Sequence, residues 1–164
     1  MTRRKEKLNN GGTREERPGM FLSRTLRAWR IRRTIKRSGL FYVTYYLEQA
    51  PDVAHQGIDP ISHYIRSGAD AGLAPNPLFD SGWYLRSYPD VAAVGANPLY
   101  HYIKYGASEW RDPGPKFSTS RYMERYPDIG TSGINPLLHF LKQGAAEGRP
   151  PHPQQGGYVD SEGR

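Results

Sequence analysis

Apolar and aromatic residues return along this chain at a fixed interval. Phe41, Phe79 and Phe117 lie 38 residues apart, and so do Tyr46, Tyr84 and Tyr122. The punctuating residues keep the same register: Gly57, Gly95 and Gly133, then Pro60, Pro98 and Pro136, then Gly68, Gly106 and Gly144, then Pro75, Pro113 and Pro151. Three copies in register, with no insertion, mark one supersecondary unit that buries its apolar face on copies of itself. The copies span 38–75, 76–113 and 114–151 and together make one domain, 38–151.

The middle copy shows the elements most clearly. Asp80 is a good N-cap, and Ser81 to Ser87 can form two helical turns. Phe79 and Tyr84 then have the spacing of a hydrophobic staple. In the third copy Phe117, Ser118 and Tyr122 repeat the pattern. In the first, Tyr42 stands at the cap, so that helix is expected to start less sharply. Pro89 ends the first helix by restricting Tyr88, and suits the first position of a second short helix, Pro89 to Val94, stopped by Gly95. Asn97-Pro98 then starts a third helix, running to about Tyr105, with Gly106 as a left-handed cap. Leu99, Tyr102 and Ile103 give it one buried face. No segment alternates with period two for long enough to form a strand. The expected fold is all-α: three tandem 38-residue helical repeats stacked in a compact array, preceded by a basic helix, with disordered tails.

Outside the repeats the pattern changes. Residues 1–19 are polar and charged and are expected to be a disordered arm, as are the Pro-, Gly- and Gln-rich residues 152–164 as a tail. Residues 20–37 lack Pro and Gly and are expected to form a helix. Its apolar residues make two groups: Leu22, Leu26 and Trp29 on one side, Ala28, Ile31 and Ile35 nearly opposite. Arg24, Arg27, Arg30, Arg32, Arg33, Lys36 and Arg37 fill the gaps. The expected role of this helix is to pack one side on the first repeat and leave the other solvated.

Charge sharpens the division. The net charge is +7, but residues 1–37 hold 13 Lys/Arg against 3 Asp/Glu, a net of +10, and residues 38–164 are at −3. Only the basic arm is a candidate for polyanions, as an anionic membrane surface or, ranked below it, nucleic acid. There is no cysteine, which rules out a disulfide framework or thiolate metal site. No apolar run has the length of a membrane span, and the first residues do not read as a secretory signal. The expected location is the cytoplasm, peripheral to the inner membrane face.

The recurring His63, His101 and His139 invite a metal reading, as Asp52, Asp90 and Asp128 invite a catalytic one. Equivalent positions in stacked units sit roughly 8–10 Å apart, whereas zinc nitrogens lie about 2.0–2.1 Å from the ion. The six residues are therefore read as structural, each histidine hydrogen-bonding within its repeat, with Asp52, Asp90 or Asp128 as the expected partner. The aspartates also suit the first turn of the Pro-Asp helix. No phosphate-binding loop, nucleophile elbow or His-Glu-x-x-His is present. No catalytic residue, cofactor or metal is assigned. Trp83, Tyr84, Tyr88, Tyr100, Tyr102 and Tyr105 are read mainly as core, with a sugar or peptide platform as the alternative.

The segments LFYVTYYLEQAPDVAHQGIDPISHYIRSGA, LFDSGWYLRSYPDVAAVGANPLYHYIKYGASEWRDP and KFSTSRYMERYPDIGTSGINPLLHFLKQGAAEGRPP resemble a bacterial repeat of the form FD-x-x-W/Y-Y-L-x-x-Y-P-D-V, G-x-N/D-P-L-x-H-Y and G-x-x-E-G-R-x-P. That repeat accompanies glycosyltransferases and rhamnan-synthesis-type proteins of cell-surface polysaccharide assembly. The resemblance covers about residues 35–151. It implies a non-catalytic interaction module beside glycosyltransferase machinery and carries over no catalytic residue. A glycan-binding protein or a remnant of a longer glycosyltransferase is the alternative it leaves open. The chain departs from the pattern at Ala50, where a tyrosine is expected, and at Gly72-Leu73 and Trp110-Arg111, where a Gly-Arg turn is expected.

Overall fold

The computed structural model describes residues 18–152, with side chains from residue 25. The expected disordered arm, apart from Pro18 and Gly19, and the tail beyond His152 lie outside the described residues, as do the side chains of Leu22 and Arg24. Among the described residues every regular element is helical. The order is α1 (Pro18–Ser38), then α2 (Val43–Gln49), α3 (Pro51–His55) and α4 (Pro60–His63) in the first repeat, α5 (Ser81–Ser87), α6 (Pro89–Ala93) and α7 (Pro98–His101) in the second, and α8 (Thr119–Arg125), α9 (Pro127–Ser132) and α10 (Pro136–His139) in the third. α1 begins at Pro18, two residues before the expected start, with proline in its first turn.

Each repeat is a three-helix unit whose local chemistry sets the boundaries. Asp80 accepts from Trp83 N–H at 2.8 Å and caps α5. Ser118 precedes α8 without a side-chain cap, its hydroxyl lying 3.3 Å from that of Ser120. α2 has no side-chain cap either, yet it is seven residues long like α5 and α8. The backbone explains this: Tyr42 N–H donates to Pro75 C=O at 2.8 Å, as Asp80 N–H does to Pro113 and Ser118 N–H to Pro151. Each repeat thus closes its end on its own beginning. The staple forms in all three copies, with Phe41–Tyr46, Phe79–Tyr84 and Phe117–Tyr122 rings 5.0, 5.4 and 5.2 Å apart.

The third helix of each repeat differs from expectation. It opens as α-helix under an Asp59, Asn97 or Asn135 cap, then widens into a π-helical turn at Tyr64–Gly68, Tyr102–Gly106 and Phe140–Gly144. The amides of Ala69, Ala107 and Ala145 reach back to the carbonyls of Tyr64, Tyr102 and Phe140. The glycines at 68, 106 and 144 are therefore not left-handed caps. The left-handed positions come four residues later, at Gly72, Trp110 and Gly148. The turn expected to be altered in two copies is the same turn in all three. Trp110 holds it with φ 61°, a conformation that crowds a β-carbon against the backbone. Trp110→Gly should raise stability by about 1 kcal/mol in urea unfolding; a neutral or destabilising exchange would show that the indole recovers the strain by packing.

The core runs through all three repeats. Tyr46, Tyr64, Phe79, Tyr84, Tyr102, Phe117 and Tyr122 are fully buried, with Leu99, Leu137 and Ile35 among them. Tight helix packing lies within each repeat and between α1 and the pairs α4 and α7. α1 thus crosses two repeats rather than resting on the first alone. Arg32 of α1 donates to Asp59 through Nε and Nη2 at 3.0 and 3.1 Å. At its far end Gly39 sits against Leu138 and Lys142 of the third repeat.

The junctions between repeats are polar links set in this core. Tyr64 donates to Ser81 Oγ at 2.9 Å, and Ser81 in turn donates to Leu73 C=O. Tyr102 Oη and Thr119 Oγ1 pair at 3.3 Å across the next junction. At the ends of the array the hydroxyls are missing together: Phe140 replaces the tyrosine, and Val43 the serine or threonine. Asn76, fully buried, donates to Leu40 C=O and accepts from Leu78 and Phe79 N–H.

Candidate functional site

The three histidines each find a tyrosine of their own repeat, not an aspartate. Tyr46 Oη lies 2.7 Å from His63 Nδ1, and the Tyr84–His101 and Tyr122–His139 pairs are at 2.9 Å. This corrects the expected aspartate partner: the aspartates sit on the exposed first turn of α3, α6 and α9, and the imidazole Nδ1 atoms pair with tyrosines instead. Burial pushes the Tyr46 and Tyr122 phenols up to about 12, and Tyr84 higher still. A phenol so held stays protonated and acts as a clasp, whereas a general base would need the opposite shift. Burial, with Arg111 nearby, lowers His101 below its ordinary value of 6.5. The unfolded chain then takes up this proton first, so stability should fall as pH drops from about 6.5 toward the lower folded value. Urea unfolding across pH checks this: His101→Gln should flatten that part of the profile, and an unchanged slope would count against it.

The aspartates divide by repeat. Asp90 receives a bidentate pair from Arg111 at 3.0 and 2.8 Å, and Arg111 also reaches Glu109 while stacking over Tyr88 at 4.9 Å. Arg149 lies over Tyr126 at 4.3 Å and pairs with Glu147. In the first repeat Tyr, Glu and Arg are lost together, with Ala50, Ala71 and Leu73 at the equivalent positions. Gln49 repairs part of the loss. Its Oε1 accepts from Ala74 N–H at 3.0 Å, standing in for Tyr88 Oη, which accepts from Asp112 N–H at 2.7 Å. These contacts fasten the segment around the left-handed turn to the end of the first helix and the start of the second. Among the described residues no group of three or more His, Asp or Glu is placed to hold a metal ion.

Two surface grooves recur with the repeat. The first lies between repeats one and two, with a volume of about 250 Å³; Ile65, Ala69, Leu85, Ala92 and Ala96 line it, with Arg27 of α1 at its side. The second lies between repeats two and three, about 190 Å³, lined by the equivalent Ile103, Ala107, Met123, Gly130 and Ile134. Polar residues share both linings: Asp70 and Asn97 in the first groove, Lys104, Ser108 and Asn135 in the second. Both are below the roughly 300 Å³ at which small-molecule pockets begin, a size suited to inserted side chains. Sequence reasoning did not find these grooves, although Ala92 and Gly130 at one repeat position signal them.

The basic residues of α1 separate into two sets. Arg32 is tied to Asp59, whose carboxyl it holds far below the ordinary carboxylate range. Arg27, Arg30, Arg33, Lys36 and Arg37 are exposed. No helix of the described residues is long and apolar enough to cross a membrane. Comparison with family models, curated proteins and solved structures returned no match to the chain.

Proposed function

We propose that this chain is a non-catalytic helical-repeat interaction module that docks a protein partner, and that the partner is glycosyltransferase machinery of bacterial cell-surface polysaccharide synthesis. The observation that carries docking is the recurrence of one groove, with aliphatic and polar residues at equivalent positions, at both repeat junctions. An extended partner segment with apolar side chains one repeat apart would fill both, and the second insertion would be intramolecular and hence favoured. The mutual pairing of the recurring tyrosines, histidines, Asp90 and Arg111 supports a structural part for them. The glycosyltransferase assignment rests on the repeat's resemblance.

The test is co-purification of the full chain with glycosyltransferases from lysate of the host cell. Ala96→Arg and Gly130→Arg each fill one groove from an exposed or half-exposed position. Either should weaken capture at least tenfold, about 1.4 kcal/mol, without changing the melting temperature. Undiminished capture by both variants, or turnover of nucleotide sugars by the purified chain, would overturn the proposal. A glycan-contact surface is the second reading, favoured by Trp110, held at positive φ and 47% exposed, and by Tyr105, 51% exposed. On that reading Trp110→Gly gains stability and loses glycan binding.

A further inference from the structure

α1 carries two apolar stripes, and the fold uses one. Ile35 is fully buried and Ile31 half-buried against the repeats, while Leu26 and Trp29 are 61% and 53% exposed on the other side. Leu26, Trp29, Arg30, Arg33 and Arg37 follow at i, i+3, i+4, i+7 and i+11, which is one face of a helix. Arg33 stacks over Trp29 at 5.3 Å, and a shallow depression joins Trp29 to Arg30, Arg33 and Arg37. The lack of one clean amphipathic stripe in the sequence therefore has a cause: the helix serves two surfaces.

We propose that this outward face of α1 seats the protein on an anionic lipid surface. The face pairs exposed apolar groups with guanidinium groups, the composition that lies at the boundary between headgroups and acyl chains. A phosphate backbone of nucleic acid would use the arginines and gain little from Leu26. The charge distribution also orients the molecule: residues 1–37 carry +10 and residues 38–164 carry −3, so an anionic surface attracts α1 and repels the repeats. The grooves of the docking proposal do not enter this inference, and either can fail alone.

The experiment is cosedimentation of the full chain with vesicles of phosphatidylglycerol and phosphatidylcholine, or phosphatidylcholine alone, at low and high salt, with heparin binding measured in parallel. Binding is expected on the anionic vesicles only and should weaken with salt. Replacing Arg30, Arg33 and Arg37 by glutamine should reduce partition by about fivefold per charge. Leu26→Ser with Trp29→Ser should weaken vesicle binding at least tenfold and leave heparin binding unchanged. Both sets are exposed, so circular dichroism should be unaltered. The proposal is overturned if wild type fails to bind anionic vesicles. It is equally overturned if the Leu26/Trp29 variant binds them as wild type does, which would make α1 a general polyanion site, nucleic acid included.

Discussion

Gly106→Ala is expected to destabilise the protein by about 3–5 kcal/mol, the sum of overpacking and a broken buried hydrogen bond. The reason is a contact rather than a dihedral. Gly106 lies in the π-helical turn, and a β-carbon there would fall on Tyr84 Oη, well inside contact distance. That oxygen cannot move freely, because it is bonded to His101 Nδ1 and its ring is buried against Phe79 and Tyr102. Gly95→Ala is the comparison. Gly95 has φ 58° but open space around its missing β-carbon, so it should cost only about 1 kcal/mol. Tyr84→Phe separates the two causes. Alone it loses the hydroxyl and leaves His101 without its partner, at about 1–2 kcal/mol. Combined with Gly106→Ala it removes the atom that clashes, and the nearest ring carbons, at 3.2–3.4 Å, need give only slightly. The double variant should therefore be more stable than Gly106→Ala alone, with a favourable coupling of about 2 kcal/mol. Urea unfolding of the four proteins decides it. Additive costs, or a Gly106→Ala cost no larger than that of Gly95→Ala, would show that the turn opens elsewhere to admit the methyl.

This contact also shows where the sequence stops being legible. The repeat register, the N-caps at Asp80 and Asn97, the proline starts and the staple could all be read from local spacing, because each acts within a few residues. The π-helical turns could not. They arise where Tyr84 from the first helix of a repeat lays its hydroxyl over Gly106 in the third, a constraint spanning 22 residues. Glycine at that position has two physical meanings, left-handed backbone or close approach, and only geometry separates them. The histidine partners were misassigned for a related reason: the aspartates had suitable chemistry, but Pro89 turns α6 so that Asp90 faces Arg111. Yet some long-range facts were present as paired changes. Phe140 and Val43 lose their hydroxyls at the two ends where no neighbouring repeat receives them. Ala50, Ala71 and Leu73 replace a tyrosine, a glutamate and an arginine that make sense only together. The candidate grooves left the faintest trace, since small residues on a short helix are ordinary there.

Ile35→Asp is expected to cost about 4 kcal/mol, because a carboxylate would be buried without a partner, and it tests whether α1 belongs to the fold. Ile35 is fully buried in the common core, and the side chain of Arg32, one turn earlier, holds Asp59 of the first repeat. The helix passes over both α4 and α7, and its exit at Gly39 meets Leu138 of α10. A repeat array without such an element would couple only nearest neighbours. Here α1 is a strap across the array, so damage at Ile35 should lower the stability of the second repeat as well as the first. Hydrogen exchange should show this as lost protection in both, with a smaller loss in the third. Leu26→Asp supplies the control on the outward face, where the cost should stay within about 1 kcal/mol because the side chain is mostly exposed. If Ile35→Asp proves as mild as Leu26→Asp, α1 is an appendage and the repeats fold without it. If it is severe, the strap that unites the repeats is also the element that presents Trp29, Arg30 and Arg33. If that face seats the protein on an anionic membrane as proposed, the same buried isoleucine that fixes the fold also fixes how the grooves are turned to that membrane.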